Sequence, residues 1–183
     1  MSKPLENKKI AMVIAFKDFK DVEYFIPKDI LARAGAAIAT VSTKKGMALG
    51  ADGGEVRVDL TASEVNIEDF DAVVFIGGPG MGKNLDNEEF QKIAKNATAS
   101  NKIVGAICIA PALLAKVGIL KDKKATVWSN PLDRSAIKIL KDSGAEYLEE
   151  DVVADGKIIT AAGPFAAEKF ARKIIGALTK NNK

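Results

Sequence analysis

Histidine is absent from this chain of 183 residues, and cysteine occurs once, at Cys108. Without an imidazole there can be no Ser-His-Asp or Cys-His nucleophile pair and no helical zinc-protease site, because each needs histidine as base or ligand. One thiol excludes an intrachain disulfide, and it excludes a zinc ribbon built from four thiolates. Arginine is scarce too: among 27 cations only Arg33, Arg57, Arg134 and Arg172 are arginine, and with 24 carboxylates the net charge is +3. Nucleic-acid readers gather cations on one face, with arginine or aromatic side chains for the bases. Here Lys44-Lys45 and the lysines between Lys121 and Lys124 fall in expected loops, so no nucleic-acid partner is expected. No run approaches the ~18–20 apolar residues that span a bilayer, and the opening MSKPLENKK has no continuous apolar segment of the kind a signal peptide needs. The expectation is a soluble, cytoplasmic protein with no membrane partner, a setting in which an unpaired thiol stays reduced.

What the chain does have is apolar content, 48% of its residues, at a length that fits one domain of roughly 100–200 residues. We expect a single domain over 1–183, with its core at about 8–179 between frayed polar termini. Short apolar runs alternate with segments of helical period. Strands are expected at Ile10 to Ala15, Ala37 to Ser42, Ala72 to Ile76, Ile103 to Ile107 and Ala125 to Trp128. Helices are expected at Val22 to Ala34, Asn87 to Ala99, Pro111 to Val117, Asp133 to Asp142 and Ala166 to Leu178, before a frayed TKNNK tail. Two hairpins interrupt the alternation, one in the glycine-rich stretch from Lys44 to Asp59 and one joining Val152-Val153 to Ile158 to Ala161 through Asp155-Gly156. Strands apolar on both faces, separated by helices, predict an α/β fold with a mostly parallel sheet covered on both sides. Ligands bind such sheets beyond the carboxyl ends of the strands, which directs attention to Phe16 to Glu23, Gly77 to Asn84 and Cys108 to Pro111.

Cys108 stands where a buried strand turns into a helix. A nucleophile elbow needs small residues two before and two after the nucleophile, and Ala106 and Ala110 meet that need. Pro111 suits the first turn of the helix, and amides following Cys108 would favour thiolate. The alternative is a small apolar side chain in a core strand. The run Gly77 to Lys83 fits the G-x-x-x-x-G-K frame of a phosphate loop, but Asn84 stands where a magnesium-ligating hydroxyl belongs and no strand ends in a Walker B aspartate. A loop whose free amides stabilise an oxyanion fits better, with a plain tight turn as the alternative. Glu23 falls in the first turn of the first helix, where a solvated carboxylate complements the helix dipole. It also follows the first strand, on the sheet edge that carries Cys108. Buried there, with Pro27 kinking or shortening the helix, it would have a raised pKa and could share a proton with the thiol.

Taken together, Val22-Glu23-Tyr24-Phe25-Ile26-Pro27 before Arg33-Ala34-Gly35, Val73-Val74-Phe75-Ile76-Gly77-Gly78, Ala106-Ile107-Cys108-Ile109-Ala110-Pro111 and Gly163-Pro164 resemble the DJ-1/PfpI family, in order and over nearly the whole chain. The resemblance implies a flavodoxin-like α/β sandwich and a homodimer or larger homo-oligomer. It also implies a reactive cysteine at Cys108, a protonated carboxylate partner at Glu23, and amides of Gly77, Gly78 and Ile109 that contact the oxyanion. Two departures stand out. The peptidase-like branch has histidine after the cysteine, where this chain has Ile109, and other members have histidine near the segment that here reads Trp128-Ser129-Asn130-Pro131. Amide hydrolysis needs a proton donor for the leaving amine, which Ile109 cannot supply. The resemblance therefore implies a glyoxalase III- or deglycase-like enzyme acting on small α-oxoaldehydes such as methylglyoxal, with no cofactor and no metal. The alternatives are a redox-sensing or chaperone-like protein in which Cys108 is oxidised to sulfinate, and a PfpI-type hydrolase of amides or esters.

Overall fold

The computed structural model describes residues 2–180. The chain runs β1 (Lys9–Val13), β2 (Lys17–Phe19), α1 (Asp21–Arg33), β3 (Ala37–Ser42), β4 (Gly46–Gly50), β5 (Glu55–Val58) and β6 (Leu60–Thr61). It continues β7 (Ala72–Phe75), α2 (Pro79–Gly82), α3 (Glu88–Ala99), β8 (Ile103–Ile107), α4 (Pro111–Lys116) and β9 (Lys124–Ala125). The last elements are α5 (Ser135–Asp142), β10 (Glu146–Tyr147), β11 (Val152–Asp155), β12 (Ile158–Ala161) and α6 (Ala167–Lys180).

The apolar runs form the middle of a seven-stranded sheet in the order β11-β12-β8-β7-β1-β3-β6. Every pairing is parallel except that of the edge strand β11 with β12. Side chains alternate across a strand, and β1 shows the consequence. Ala11 and Val13 enter one core with Phe90, Leu113 and Leu140, while Ile10 and Met12 enter the other with Tyr24, Leu31 and Phe170. A parallel sheet buried on both faces needs this two-sided apolar content. The order reverses between β1 and β7, and this is where an open α/β sheet forms its crevice.

Several expectations change at the edges. The segment Ala125 to Trp128 is not a strand of the main sheet. Only Lys124–Ala125 is extended, pairing with β10 in a small separate sheet, because both sides of β12 are already taken by β11 and β8. The segment instead crosses the strand ends: the Thr126 amide donates to Thr160 Oγ1 at 3.0 Å, and the Trp128 amide donates to the Cys108 carbonyl at 2.9 Å. The helix α1 runs through Pro27 without being shortened by it. The polar opening is anchored rather than frayed, since Leu5 is fully buried and its amide donates to the Ala34 carbonyl at 2.8 Å. Of the TKNNK tail, Thr179 and Lys180 continue α6, and the remainder lies outside the described residues.

The expected glycine-rich hairpin is β4–β5, and β2 joins it in a three-stranded sheet. Asp21, in the first turn of α1, pins its tip by accepting the Asp52 and Gly54 amides at 2.8 and 2.6 Å. A Cβ at Gly50 or Gly54 would lie 2.3 Å from that carboxylate, so only glycine lets the turn close on it. No helix among the described residues is long and apolar enough to cross a membrane.

Candidate active site

Cys108 occupies the turn between β8 and α4 with φ of 64°. A left-handed conformation strains any residue other than glycine, and two backbone hydrogen bonds hold it there. Its amide donates to the Ala161 carbonyl at 2.8 Å, and its carbonyl accepts the Trp128 amide. The small neighbours Ala106 and Ala110 are fully buried. Cys108 as a whole residue is 9% exposed and lines the floor of an opening.

Glu23 is completely buried, although it lies in a helix first turn where carboxylates ordinarily face water. Its Oε2 accepts the Gly77 amide at 3.0 Å, while Oε1 is buried without a hydrogen-bond partner. The three segments after β1, β7 and β8 thus converge on one point. Gly77 makes this possible, since a Cβ there would come within 2.5 Å of Cys108 Cβ and 2.6 Å of Glu23 Oε2. The Gly77 amide, expected to face an oxyanion, is engaged by Glu23. The Gly78 and Ile109 amides are the ones that act on the sulfur, pulling the thiol pKa down.

Burial pushes the Glu23 carboxyl up from 4.5 to about 7, against the opposing pull of Cys108, the Gly77 amide and the Lys20 ammonium. Burial also pushes the Cys108 thiol up, and a charge on Glu23 pushes it further, while the amides of Gly78 and Ile109 pull the other way. The depressed thiol pKa expected from the helix terminus alone is therefore not what this environment gives when Glu23 is ionised. Two anions this close cannot both persist in a buried site, so the pair gives up its first proton at about pH 7 and carries at most one negative charge near neutrality.

The pair opens into a cavity of about 300 Å³ whose other walls include Lys20, Pro79, Ile109, Trp128 and Pro164. Lys20 and Trp128 escaped the sequence reading. Lys20 reads as a loop cation and Trp128 as a strand residue, yet Lys20 precedes Glu23 by three positions and so approaches the same helix face. The Gly77 to Asn84 run does not form a phosphate cradle. Gly80 packs against the Lys17 carbonyl, and Asn84 donates its side-chain amide to the Gly80 carbonyl at 2.8 Å. Among the described residues, no group of three or more His, Cys, Asp or Glu side chains is placed to hold a metal ion.

The central parallel strands, in order β3-β1-β7-β8-β12, follow the second-first-third-fourth-fifth order of flavodoxin-like folds. A solved ThiJ/PfpI domain protein from Brachyspira murdochii superposes with a TM-score of 0.90 at 34% identity, covering 96% of this chain and 98% of the other. An uncharacterised protein of Methanocaldococcus jannaschii is 41% identical over 97% of this chain and 86% of its own length. The deglycase PfpI of Pyrococcus furiosus is 30% identical over 91% of this chain and 98% of its own length. YraA of Bacillus subtilis, named as a candidate cysteine protease, is 31% identical over 94% and 99%. With residues 8–177 matching the family as a whole, this chain belongs to the DJ-1/PfpI family.

Proposed function

We propose that the protein is a cofactor-independent enzyme that converts small α-oxoaldehydes to 2-hydroxy acids, with Cys108 as nucleophile and Glu23 as proton carrier. The observation that carries this reading is the meeting of a strained, pinned thiol with a fully buried carboxyl whose pKa is about 7. A group with that pKa can both give and take a proton at neutral pH. A relative named as a deglycase is in keeping with an enzyme at this site.

In this scheme the Cys108 thiolate bonds to the aldehyde carbon, and the resulting oxygen takes the proton held by Glu23, giving a hemithioacetal. The Gly78 and Ile109 amides stabilise the charge that develops there. The Glu23 carboxylate then removes the hydrogen from the former aldehyde carbon and returns it to the adjacent carbon through an enediolate. The result is a thioester of the 2-hydroxy acid, which water cleaves. One carbon is oxidised and its neighbour reduced, so no external oxidant is required.

Hydrolysis of amides is less well supplied, because Ile109 stands in place of the histidine that would protonate a leaving amine, which leaves Glu23 as the donor. The test is lactate formation from methylglyoxal by purified protein, run beside peptide and ester substrates and repeated with Cys108→Ser. Lactate from wild type and none from the variant is the expected result. Peptide or ester cleavage without lactate would move the protein to the hydrolase reading, and no turnover with ready peroxide oxidation of Cys108 would move it to the redox-sensing one.

A further inference from the structure

Apart from the Cys108–Glu23 pair, the walls of the cavity are almost wholly apolar, and Lys20 is the charged side chain on them. Its ammonium is held 2.8 Å from Asp52 Oδ2, at the tip of the β4–β5 hairpin, and its side chain is 30% exposed. The Lys20 backbone is fixed as well, since its amide donates to the Gly77 carbonyl at 3.0 Å. A cation is thus positioned at the rim of an apolar pocket by two attachments, one to the loop that serves Glu23 and one to the hairpin. Asp52 is 51% exposed, so water screens its hold on Lys20 from the outside. On the cavity side, the apolar walls of Pro79, Ile109 and Trp128 offer the ammonium no anion, and the Cys108–Glu23 pair supplies at most one negative charge.

Resting on the function proposed above, we infer that Lys20 is a specificity-determining residue, and that the preferred substrates are α-oxoaldehydes carrying a carboxylate at the end opposite the aldehyde. The carboxylate would pair with the Lys20 ammonium at the rim while the aldehyde reaches Cys108 on the floor. A suitable probe is 4,5-dioxopentanoate, an α-oxoaldehyde with a carboxylate at the far end of a short methylene spacer. Cys108 adds to its aldehyde carbon, the hydrogen moves to the neighbouring carbon, and water releases 2-hydroxyglutarate, the substrate plus one water.

The experiment compares kcat/KM for 4,5-dioxopentanoate and methylglyoxal. Lys20→Met is expected to lower the ratio of the two about tenfold or more, the usual size of a hydrogen bond to a charged group, and Lys20→Arg to preserve it. Asp52→Asn removes the competing carboxylate and is expected to raise the ratio. If Lys20 served only to hold the hairpin, Lys20→Met and Asp52→Asn would move the ratio together, which overturns the inference, as does an unchanged ratio in Lys20→Met. A second readout separates this from the reaction itself. Trp128 is the single tryptophan of the chain and lines the cavity, so its fluorescence reports binding of 2-hydroxyglutarate against lactate. If methylglyoxal yields no lactate, the proposed turnover fails. The inference about Lys20 still stands or falls on whether 2-hydroxyglutarate binds more tightly than lactate in wild type and loses that advantage in Lys20→Met.

Discussion

Glu23 and Gly77, separated by 54 positions in the chain, meet through a hydrogen bond of 3.0 Å from the glycine amide to Oε2. That bond fixes one carboxyl oxygen and leaves the other, Oε1, buried and unpartnered on a side chain with no exposure at all. An ionised carboxylate with one oxygen unsatisfied in a dry site is costly, and a protonated one is not. The arrangement therefore sets up a carboxylic acid that remains protonated close to neutral pH.

The first prediction concerns turnover. Glu23→Gln keeps the shape and an acceptor for the Gly77 amide but removes the transferable proton. Oxoaldehyde turnover is expected to fall by roughly 10²–10⁴-fold, the ordinary worth of general acid–base catalysis, with the circular dichroism spectrum unchanged. Undiminished turnover would show that Glu23 carries no proton in the reaction.

The second prediction is a pH dependence of stability. The folded-state pKa of Glu23, about 7, lies above the unfolded value of 4.5. Its contribution to stability is complete below pH 4.5 and is lost as the pH rises through 7, whichever atom of the pair gives up the proton. The shift corresponds to roughly 3 kcal/mol at 1.36 kcal/mol per unit. Glu23→Gln does not titrate, so the difference in stability between variant and wild type should grow in favour of the variant from pH 4 to pH 8. Denaturant unfolding across that range reads it directly, and parallel curves would contradict the raised pKa.

The third prediction concerns Gly77. A methyl group there would press on Cys108 Cβ at 2.5 Å and on the Ile107 carbonyl at 2.8 Å, neither of which is the flexible end of a side chain. Gly77→Ala is expected to destabilise by about 1–3 kcal/mol, the usual cost of overpacking, and to reduce turnover further than the loss of fold accounts for. Thermal melts paired with kinetics at a temperature where the variant is folded separate the two effects.

The fourth prediction is an assembly. On α1, Val22, Phe25 and Ile26 stand at i, i+3 and i+4 and remain 37–40% exposed, and on the outer face of β4, Met47 and Leu49 are 54% and 45% exposed. The two groups adjoin, since the Phe25 ring lies 2.6 Å from where a Gly54 Cβ would stand, on the hairpin that β4 opens. Large apolar faces on a helix and a neighbouring strand mark an interaction surface, and we propose that a second copy covers them. Light scattering is expected to give twice the 19.4 kDa chain mass, and Phe25→Lys with Leu49→Lys to give the monomer. A monomeric wild type would remove the proposal.

What was legible in the sequence follows the reach of local physics. Cys108 could be placed on its turn because small residues on both sides and Pro111 after it are required by the strand-to-helix geometry itself. The burial of Glu23 could not be read locally, since a first-turn carboxylate has every local reason to face water. It depends on the long-range approach of Gly77, where only the missing side chain is visible in sequence. The apolar pattern of the Ala125 to Trp128 segment suits a strand, but the place beside β8 is taken by β12, from a hairpin later in the chain. Lys20 carried no signal of its own, because a lysine at a loop end looks the same whether it faces solvent or a cavity.

The last prediction asks which atom of the pair bears the negative charge. The amides of Gly78 and Ile109 pull the thiol pKa down, while the carboxyl group receives one amide, on Oε2. If these amides outweigh the burial that pushes the thiol up, and the unpartnered Oε1 holds the proton, the pair rests as thiolate beside carboxylic acid. Ultraviolet thiolate absorbance in wild type should then rise with a midpoint below the free-thiol value of about 8.5. In Glu23→Gln the sulfur remains buried and loses the acidic donor, so the midpoint should move upward. If the carboxylate holds the charge instead, the wild-type thiol should titrate far above 8.5, because an anion sits beside it, and Glu23→Gln should lower the midpoint by removing that anion. The sign of the change between the two proteins thus decides the question, and a downward shift would require the nucleophile to be generated only after substrate enters the cavity.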